Sequence, residues 1–194
     1  MFLASSSPRR RELLKRLGRR FRVVAPHADE SVPPGAPPAR AAEICAARKA
    51  ESVAAQLGEG LVLGADTVVA AGEEIIGKPR DRAHAIEILE RLTRGPHVVI
   101  TAICLLDART GRRRIASERT RVTMRPMTRA EIEAYVDSGE AMGKAGAYAI
   151  QETGDRFVER VEGSYSNVVG LPLELLARLL DEFERDDKPR NGKA

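Results

Sequence analysis

Apolar positions along the chain change their period several times, and each change predicts an element. The apolar stub Phe2-Leu3-Ala4 reads as a strand, and Leu13, Leu14 and Leu17 follow at helical spacing. Ser7 and Pro8 stand where a helix cap and a first helical residue belong. Phe21 to Ala25 reads as a short strand, and Pro26 to Pro38 as a Pro/Gly loop that carries Asp29-Glu30. An alanine-rich helix is predicted from Pro38 to Leu57, stopped by Gly58 and Gly60. Leu61 to Ala70 is apolar and β-branched but interrupted by Asp66-Thr67, and a hairpin should return through Glu74-Ile75-Ile76.

Ala85, Ile88, Leu89 and Leu92 give a helix over Arg82 to Leu92. Val98 to Leu106 and Ile115 to Met124 read as paired strands across a turn near Thr110-Gly111. Thr128 and Glu131 have capping-box spacing ahead of a helix that reaches Val136. A glycine-rich stretch, Ser138 to Ala149, leads to a strand near Phe157 to Val161. The last helix, about Pro172 to Phe183, puts Leu173, Leu176, Leu180 and Phe183 on one face. Helices alternating with strands, some of them hairpins, predict a mixed α/β class with a partly antiparallel sheet. One domain is expected over residues 1–185, with a disordered polar tail from Asp186 to Ala194.

Composition narrows the class. A chain of 194 residues with 43% hydrophobic content can bury a sizeable core without staples. Its two cysteines, Cys45 and Cys104, lack metal-ligand spacing and read as reduced core thiols. No apolar run approaches a membrane span, so a soluble, cytoplasmic protein is expected. The net charge of +4 is unevenly spread. Residues 1–22 hold eight basic side chains against Glu12 alone, and residues 109–129 hold eight arginines against Glu118. Basic segments on an otherwise acidic body suit an anionic ligand, although the second also reads as a solvated surface. Aromatic content of 4% and no tryptophan argue against stacking on single-stranded nucleic acid.

Candidate chemistry gathers at a few places. Ser5-Ser6-Ser7-Pro8-Arg9-Arg10 puts hydroxyls, unpaired helix N–H groups and two guanidiniums at one corner, which attracts an anion. Asp66 closes the apolar run Leu61-Val62-Leu63-Gly64-Ala65, so it is expected at a strand end, where catalytic side chains are commonly mounted. It could meet a lysine or a hydrated Mg²⁺, or simply cap a turn through Thr67. Lys78, in Gly77-Lys78-Pro79, could fold back over the same place. Asp29-Glu30 and Arg48-Lys49 read locally as solvated surface pairs. Gly143-Lys144-Ala145-Gly146-Ala147-Tyr148 allows close backbone approach to a ligand, without the spacing of a P-loop. Gln151 could read a base edge. His27, His84 and His97 have no metal spacing, and His97 reads as structural. This is an inventory for metal-assisted attack on a polyphosphate, and no hydride-cofactor fingerprint or catalytic triad order competes with it.

Five blocks in order resemble the Maf family of nucleoside triphosphate pyrophosphatases: the Ser5 to Arg10 corner, Gly64-Ala65-Asp66-Thr67-Val68-Val69, Gly77-Lys78-Pro79, Lys144 to Gln151, and Gly163-Ser164-Tyr165-Ser166-Asn167-Val168-Val169-Gly170-Leu171-Pro172-Leu173. The resemblance implies an elongated, two-lobed ITPase-like fold (Maf/Ham1) with a central cleft and a homodimeric assembly. It also implies hydrolysis of a nucleoside triphosphate between the α and β phosphates with Mg²⁺ or Mn²⁺. Asp66 then matches the general base and, with Glu30, the metal position, while Lys78 joins the catalytic set. Ser5, Arg9, Arg10, Lys49 and Lys144 match the phosphate site. Arg9, Thr67 and Gln151 match the branch acting on dTTP and UTP, where the branch acting on 7-methyl-GTP has Trp, Gln and Glu. Gly143 and Glu152 depart from the family pattern. Two other classes stay in view: a regulator of septum formation working through protein contacts, and a nucleic-acid binder resting on the arginine-rich segments.

Overall fold

Three long antiparallel strands carry the molecule in a computed structural model that describes residues 1–151 and 153–186. In chain order the elements are β1 (Phe2–Ala4), α1 (Pro8–Lys15), β2 (Arg22–Val24), α2 (Pro38–Leu57), β3 (Leu61–Ala71), β4 (Glu74–Ile76), α3 (Arg82–Leu92), β5 (His97–Asp107), β6 (Arg113–Met124), α4 (Arg129–Asp137), β7 (Val158–Glu162), α5 (Tyr165–Val169) and α6 (Leu173–Asp186). The sheet order is β2-β1-β3-β5-β6-β7, with β4 also pairing β3. β1 runs parallel to both β2 and β3 and every other pairing is antiparallel, so the sheet is mixed. Asp186, assigned from sequence to the tail, is the last residue of α6, and residues 187–194 lie outside the described ones, as does Glu152.

The expected strand end at Asp66 is not there. β3 continues through Ala71, paired residue for residue with β5 from Leu61↔Asp107 to Ala70↔Val98. A polar pair fits inside a strand because β5 satisfies the backbone on one edge whatever the side chains are. What ends is the neighbour on the other edge. β1 stops at Ala4↔Gly64, and β4 begins only at Val69↔Ile76. Between them lies a notch at Ala65 to Val68, which makes Asp66 reachable from the middle of a strand.

The two faces of the sheet follow the period-2 pattern of β3. Val62, Gly64 and Asp66 face α2, whose Ala42, Ala46 and Ala50 form a stripe of fully buried small residues. Gly64 is required by contact: a Cβ there would stand 2.2 Å from the carbonyl oxygen of Ala46 and 2.8 Å from the nitrogen of Ala50. α2 therefore lies directly on the strand backbone. On the opposite face, Leu63, Ala65, Ile103 and Leu105 pack under α6 and α1 at one end of the long strands. Val69, Val99, Val122 and Met124 pack under α3 and α4 at the other end, with the Tyr135 and Phe157 rings in edge contact. These two apolar lobes leave a gap over the notch, spanned by α5 and the turn at Ala145–Ala147.

The capping box at α4 forms in both directions, with Thr128 accepting from the Glu131 N–H and the Glu131 carboxylate accepting from Thr128. Both cysteines are free and buried, as expected, and burial pushes the Cys104 thiol up to about 12.

Candidate active site

The notch opens into a cleft of about 510 Å³, a size that suits a small ligand. Two walls meet there, because neighbouring residues of β3 point to opposite faces of the sheet. On the α2 side, Lys49 Nζ donates to Asp66 Oδ1 at 2.6 Å and to Glu30 Oε1 at 2.7 Å. The reading of Arg48-Lys49 as a surface pair holds for Arg48, which donates to the backbone carbonyls of Asp29 and Ser31. It fails for Lys49, which is 8% exposed. Gly64 is the reason: by letting α2 sit on the sheet, it brings a long side chain two residues along the strand, to Asp66. Glu30 stays exposed, as read from sequence, but it is paired: its bond to Lys49 holds its carboxyl below the usual carboxylate range.

The other wall is neutral apart from one guanidinium. Arg10, just inside α1, donates from Nε to the Gly170 carbonyl at 2.9 Å and from Nη2 to Thr67 Oγ1 at 3.0 Å. A longer contact of 3.4 Å joins its Nη1 to Ser5 Oγ. Burial lowers the Arg10 pKa, and the charge of Asp66 opposes that shift. Thr67 Oγ1 lies 2.9 Å from Thr101 Oγ1, and the Thr101 hydroxyl donates to the Asn167 carbonyl at 2.9 Å. The Asn167 side chain accepts from the Thr101 N–H and donates to the Val99 carbonyl and to Thr120 Oγ1. α5 is thereby riveted to the sheet, which fixes the position of Gly170 beside Arg10.

All the residues expected to act line the cleft except Ser5. Ser5 is 4% exposed and holds the corner from within, accepting from the Ser7 N–H at 3.1 Å. Ser7 caps α1 through the Arg10 N–H with Pro8 at the first turn, and Ser7, Arg9 and Arg10 face the cleft. Lys78 and Lys144 come from two segments tied together by the Gly146 N–H, which donates to the Gly77 carbonyl at 3.2 Å. Gly146 has φ +74 and packs on Val69, and Ala147 follows at φ 58. Lys144 Nζ donates to the Glu140 carbonyl at 2.5 Å. Gln151 stands at the rim.

Other contributors had weaker signals. Thr101 is a hydroxyl in the most apolar run of the chain, which marks it as a buried polar group in need of partners. Asn167 stands in the Gly163 to Leu173 block, where no local feature marks it for a role. Cys45, one helical turn from Lys49, lines the cleft. Behind Tyr148, His97 Nε2 lies 2.8 Å from the phenol oxygen, and burial lowers its pKa to about 4, the structural role expected of it. The arginines of residues 109–129 are dispersed: Arg113 pairs with Glu51, Arg125 with Glu131, Arg129 with Glu90 and Glu133, and Arg112 stacks on Phe183. These pairings match the reading of the segment as a solvated, salt-bridged surface.

Glu30 and Asp66 offer hard carboxylate oxygens 2.7 and 2.6 Å from one ammonium, so cationic charge is accommodated between them. Among the described residues no group of three or more His, Cys, Asp or Glu side chains could hold a metal ion. Such a site fits an ion of the Mg²⁺ or Mn²⁺ type, which takes one or two carboxylates and completes its shell with phosphate and water. No helix among the described residues is long and apolar enough to cross a membrane.

The family model described as "Maf-like protein" matches residues 1–183, and the chain belongs to that family. A protein of Pelotomaculum thermopropionicum named dTTP/UTP pyrophosphatase is 48% identical over 181 residues, 93% of this chain and 95% of that one. A protein of Salinibacter ruber with the same name is 49% identical, covering 93% and 89%. Among solved structures, the Staphylococcus aureus Ham1 protein superposes with a TM-score of 0.50 at 13% identity, over 94% of this chain and 98% of that one. The Ham1-like fold is thus present.

Proposed function

We propose that this Maf-family chain is a nucleoside triphosphate pyrophosphatase that hydrolyses dTTP and UTP to the monophosphate and pyrophosphate. The observation that carries the reading is the two-walled notch: an acid held by a lysine on one side, and guanidinium and ammonium groups around the rest of one cleft. A triphosphate brings several negative charges, and a cleft lined by Arg9, Arg10, Lys49, Lys78 and Lys144 can neutralise them.

Water attacks the α phosphorus, a new P–O bond forms, and the bond from that phosphorus to the bridging oxygen breaks. Asp66 would take the proton of the attacking water, and Lys49, 2.6 Å from its Oδ1, orients the carboxylate. Lys78 and Lys144, which also line the cleft, would meet the charge that grows on the departing pyrophosphate. Glu30 and Asp66 would hold Mg²⁺ or Mn²⁺, and the ion would supply acidification of water and neutralisation of phosphate charge. Arg9, Thr67 and Gln151 are the base-selecting set, and their match to the pyrimidine branch extends the reading to 5-methyl-UTP and pseudo-UTP. The resemblance also supports a homodimer working on cytoplasmic nucleotide pools.

A panel of nucleoside triphosphates assayed with Mg²⁺ for monophosphate and pyrophosphate tests the activity. Expected is preferential cleavage of dTTP and UTP, abolished in Asp66→Asn. Faster cleavage of 7-methyl-GTP than of UTP would contradict the branch. No turnover of any nucleotide would favour the septum-formation regulator instead.

A further inference from the structure

We propose that Thr101, which does not line the cleft, is a specificity-positioning residue that fixes the direction of the Thr67 hydroxyl. This inference rests on the nucleotide reading above. Its basis is a proton count. A hydroxyl has one proton and two lone pairs, and a carbonyl can only accept. Thr101 Oγ1 lies 2.9 Å from the Asn167 carbonyl oxygen, so the Thr101 proton is spent there. The contact of 2.9 Å between Thr67 and Thr101 must then be made by the Thr67 proton. Arg10 Nη2 uses one lone pair of Thr67 at 3.0 Å. Thr67 is left with a single lone pair for the cleft and no proton to give.

The lock is rigid because its far end is fully satisfied. Thr101 and Asn167 are both 0% exposed, and the Asn167 amide is held by the Thr101 N–H, the Val99 carbonyl and Thr120 Oγ1. Thr120 Oγ1 in turn bonds both the N–H and the carbonyl of Ser164, the residue that caps α5. Rotating the Thr67 hydroxyl would leave a buried lone pair on Thr101 unmet.

An acceptor-only hydroxyl cannot bind a phosphate oxygen, which has no proton to offer. It suits a donor on the nucleoside. Uracil and thymine carry an imide N3–H between two carbonyls, whereas cytosine presents a bare acceptor at N3 and has its donor only on the exocyclic N4 amine, so a hydroxyl lone pair set opposite N3 tells them apart. Thr67, oriented by Thr101, therefore favours the imide bases and disfavours cytosine. The sugar 3′-hydroxyl, which UTP and dTTP share, is a second donor of the same chemistry, and the test separates it from the base.

The experiment compares kcat/KM for UTP, CTP and 3′-deoxy-UTP in the wild type, Thr101→Val and Thr101→Ser. In Thr101→Val the Thr67 hydroxyl is free to turn, and the preference for UTP over CTP should shrink about tenfold, the worth of one hydrogen bond, mainly through the KM of UTP. Thr101→Ser should keep the wild-type preference, and 3′-deoxy-UTP should follow UTP throughout. An unchanged ratio in Thr101→Val, or equal losses on UTP and CTP, would overturn the proposal. So would discrimination by the wild type against 3′-deoxy-UTP that vanishes in Thr101→Val, since the sugar would then be the donor. Should Thr101→Val fail to fold, Thr67→Val must show the same collapse of the ratio, and a retained ratio overturns the proposal equally. Wild type that cleaves no UTP would refute the underlying function, an outcome distinct from all of these.

Discussion

Asp66 and Thr67 are adjacent on one strand, yet the walls they belong to are built on opposite physics. The Asp66 wall is charged and partly open, with Glu30, Lys49 and Asp66 compensating one another and Glu30 57% exposed. The Thr67 wall is almost neutral and closed, a chain of hydroxyls, amides and carbonyls in which Thr101, Thr120 and Asn167 are fully buried. On the first wall the charges compensate one another in part through contact with water, so a change at its rim is screened. Nothing can be exchanged on the second without leaving a buried polar group unpaired. The charged wall is suited to chemistry and the neutral wall to holding shape and choosing a substrate.

The largest effect should come from the charged wall. Asp66→Asn is expected to lower kcat for UTP by roughly 10²- to 10⁴-fold, the usual worth of a positioned base, as read by pyrophosphate release. Comparable turnover in the variant would remove Asp66 from its role and erase the contrast between the walls.

The neutral face should answer to pH instead. His97, on the same face as Thr101, has its pKa lowered from 6.5 to about 4 by burial. Its unfolded form therefore binds a proton that its folded form refuses, so stability is highest above pH 6.5 and falls as the pH drops towards 4. At full extent the loss is about 3 kcal/mol, and His97→Gln should flatten that part of a denaturant-midpoint profile. A wild-type profile that is level from pH 6.5 to 4 would contradict this.

Gly64→Ala should join the two properties. A methyl group meeting the Ala46 carbonyl at 2.2 Å forces α2 off the sheet. A stability loss of roughly 1–3 kcal/mol is expected, together with reduced turnover as Lys49 withdraws from Asp66. Full activity at reduced stability would mean that the charged wall tolerates displacement.

The smallest expected effect sharpens the boundary between the walls. Arg10→Ala, which also removes bonds to Gly170 and Thr67, should weaken all nucleotides alike, by about tenfold in kcat/KM for the lost cationic contact to phosphate. Arg9→Ala should instead alter their ranking. If Arg10→Ala changes the ranking as well, the neutral wall takes part in base choice through Arg10 and not through Thr67 alone.

Much of this molecule is readable from local pattern. Ser7 and Pro8 do cap α1, the Thr128–Glu131 box forms, Gly58 ends α2 in a left-handed conformation, and the three long strands lie close to their expected places. Asp66 stands out in the sequence because an acid inside an apolar run needs a partner. Its partner could not be read, because Lys49 lies on a helix whose distance from the strand is set by Gly64. Its setting was misplaced for a related reason: the notch exists where β1 stops and β4 starts, and the pairing partners of a strand are not written in the strand.

By itself, then, the sequence determined the elements and the mixed class, since caps, periods and glycine stops act over a few neighbouring residues, while Glu30 and Lys49 entered the candidate site only through the family resemblance. The tertiary structure decided that Ser5 works from below the cleft, that Lys49 is buried between two carboxylates, and that Thr67 faces the cleft without its proton. Each of those outcomes depends on a hydrogen bond or contact between segments far apart in the chain. Such contacts form only when the burial of apolar surface has already brought the segments together.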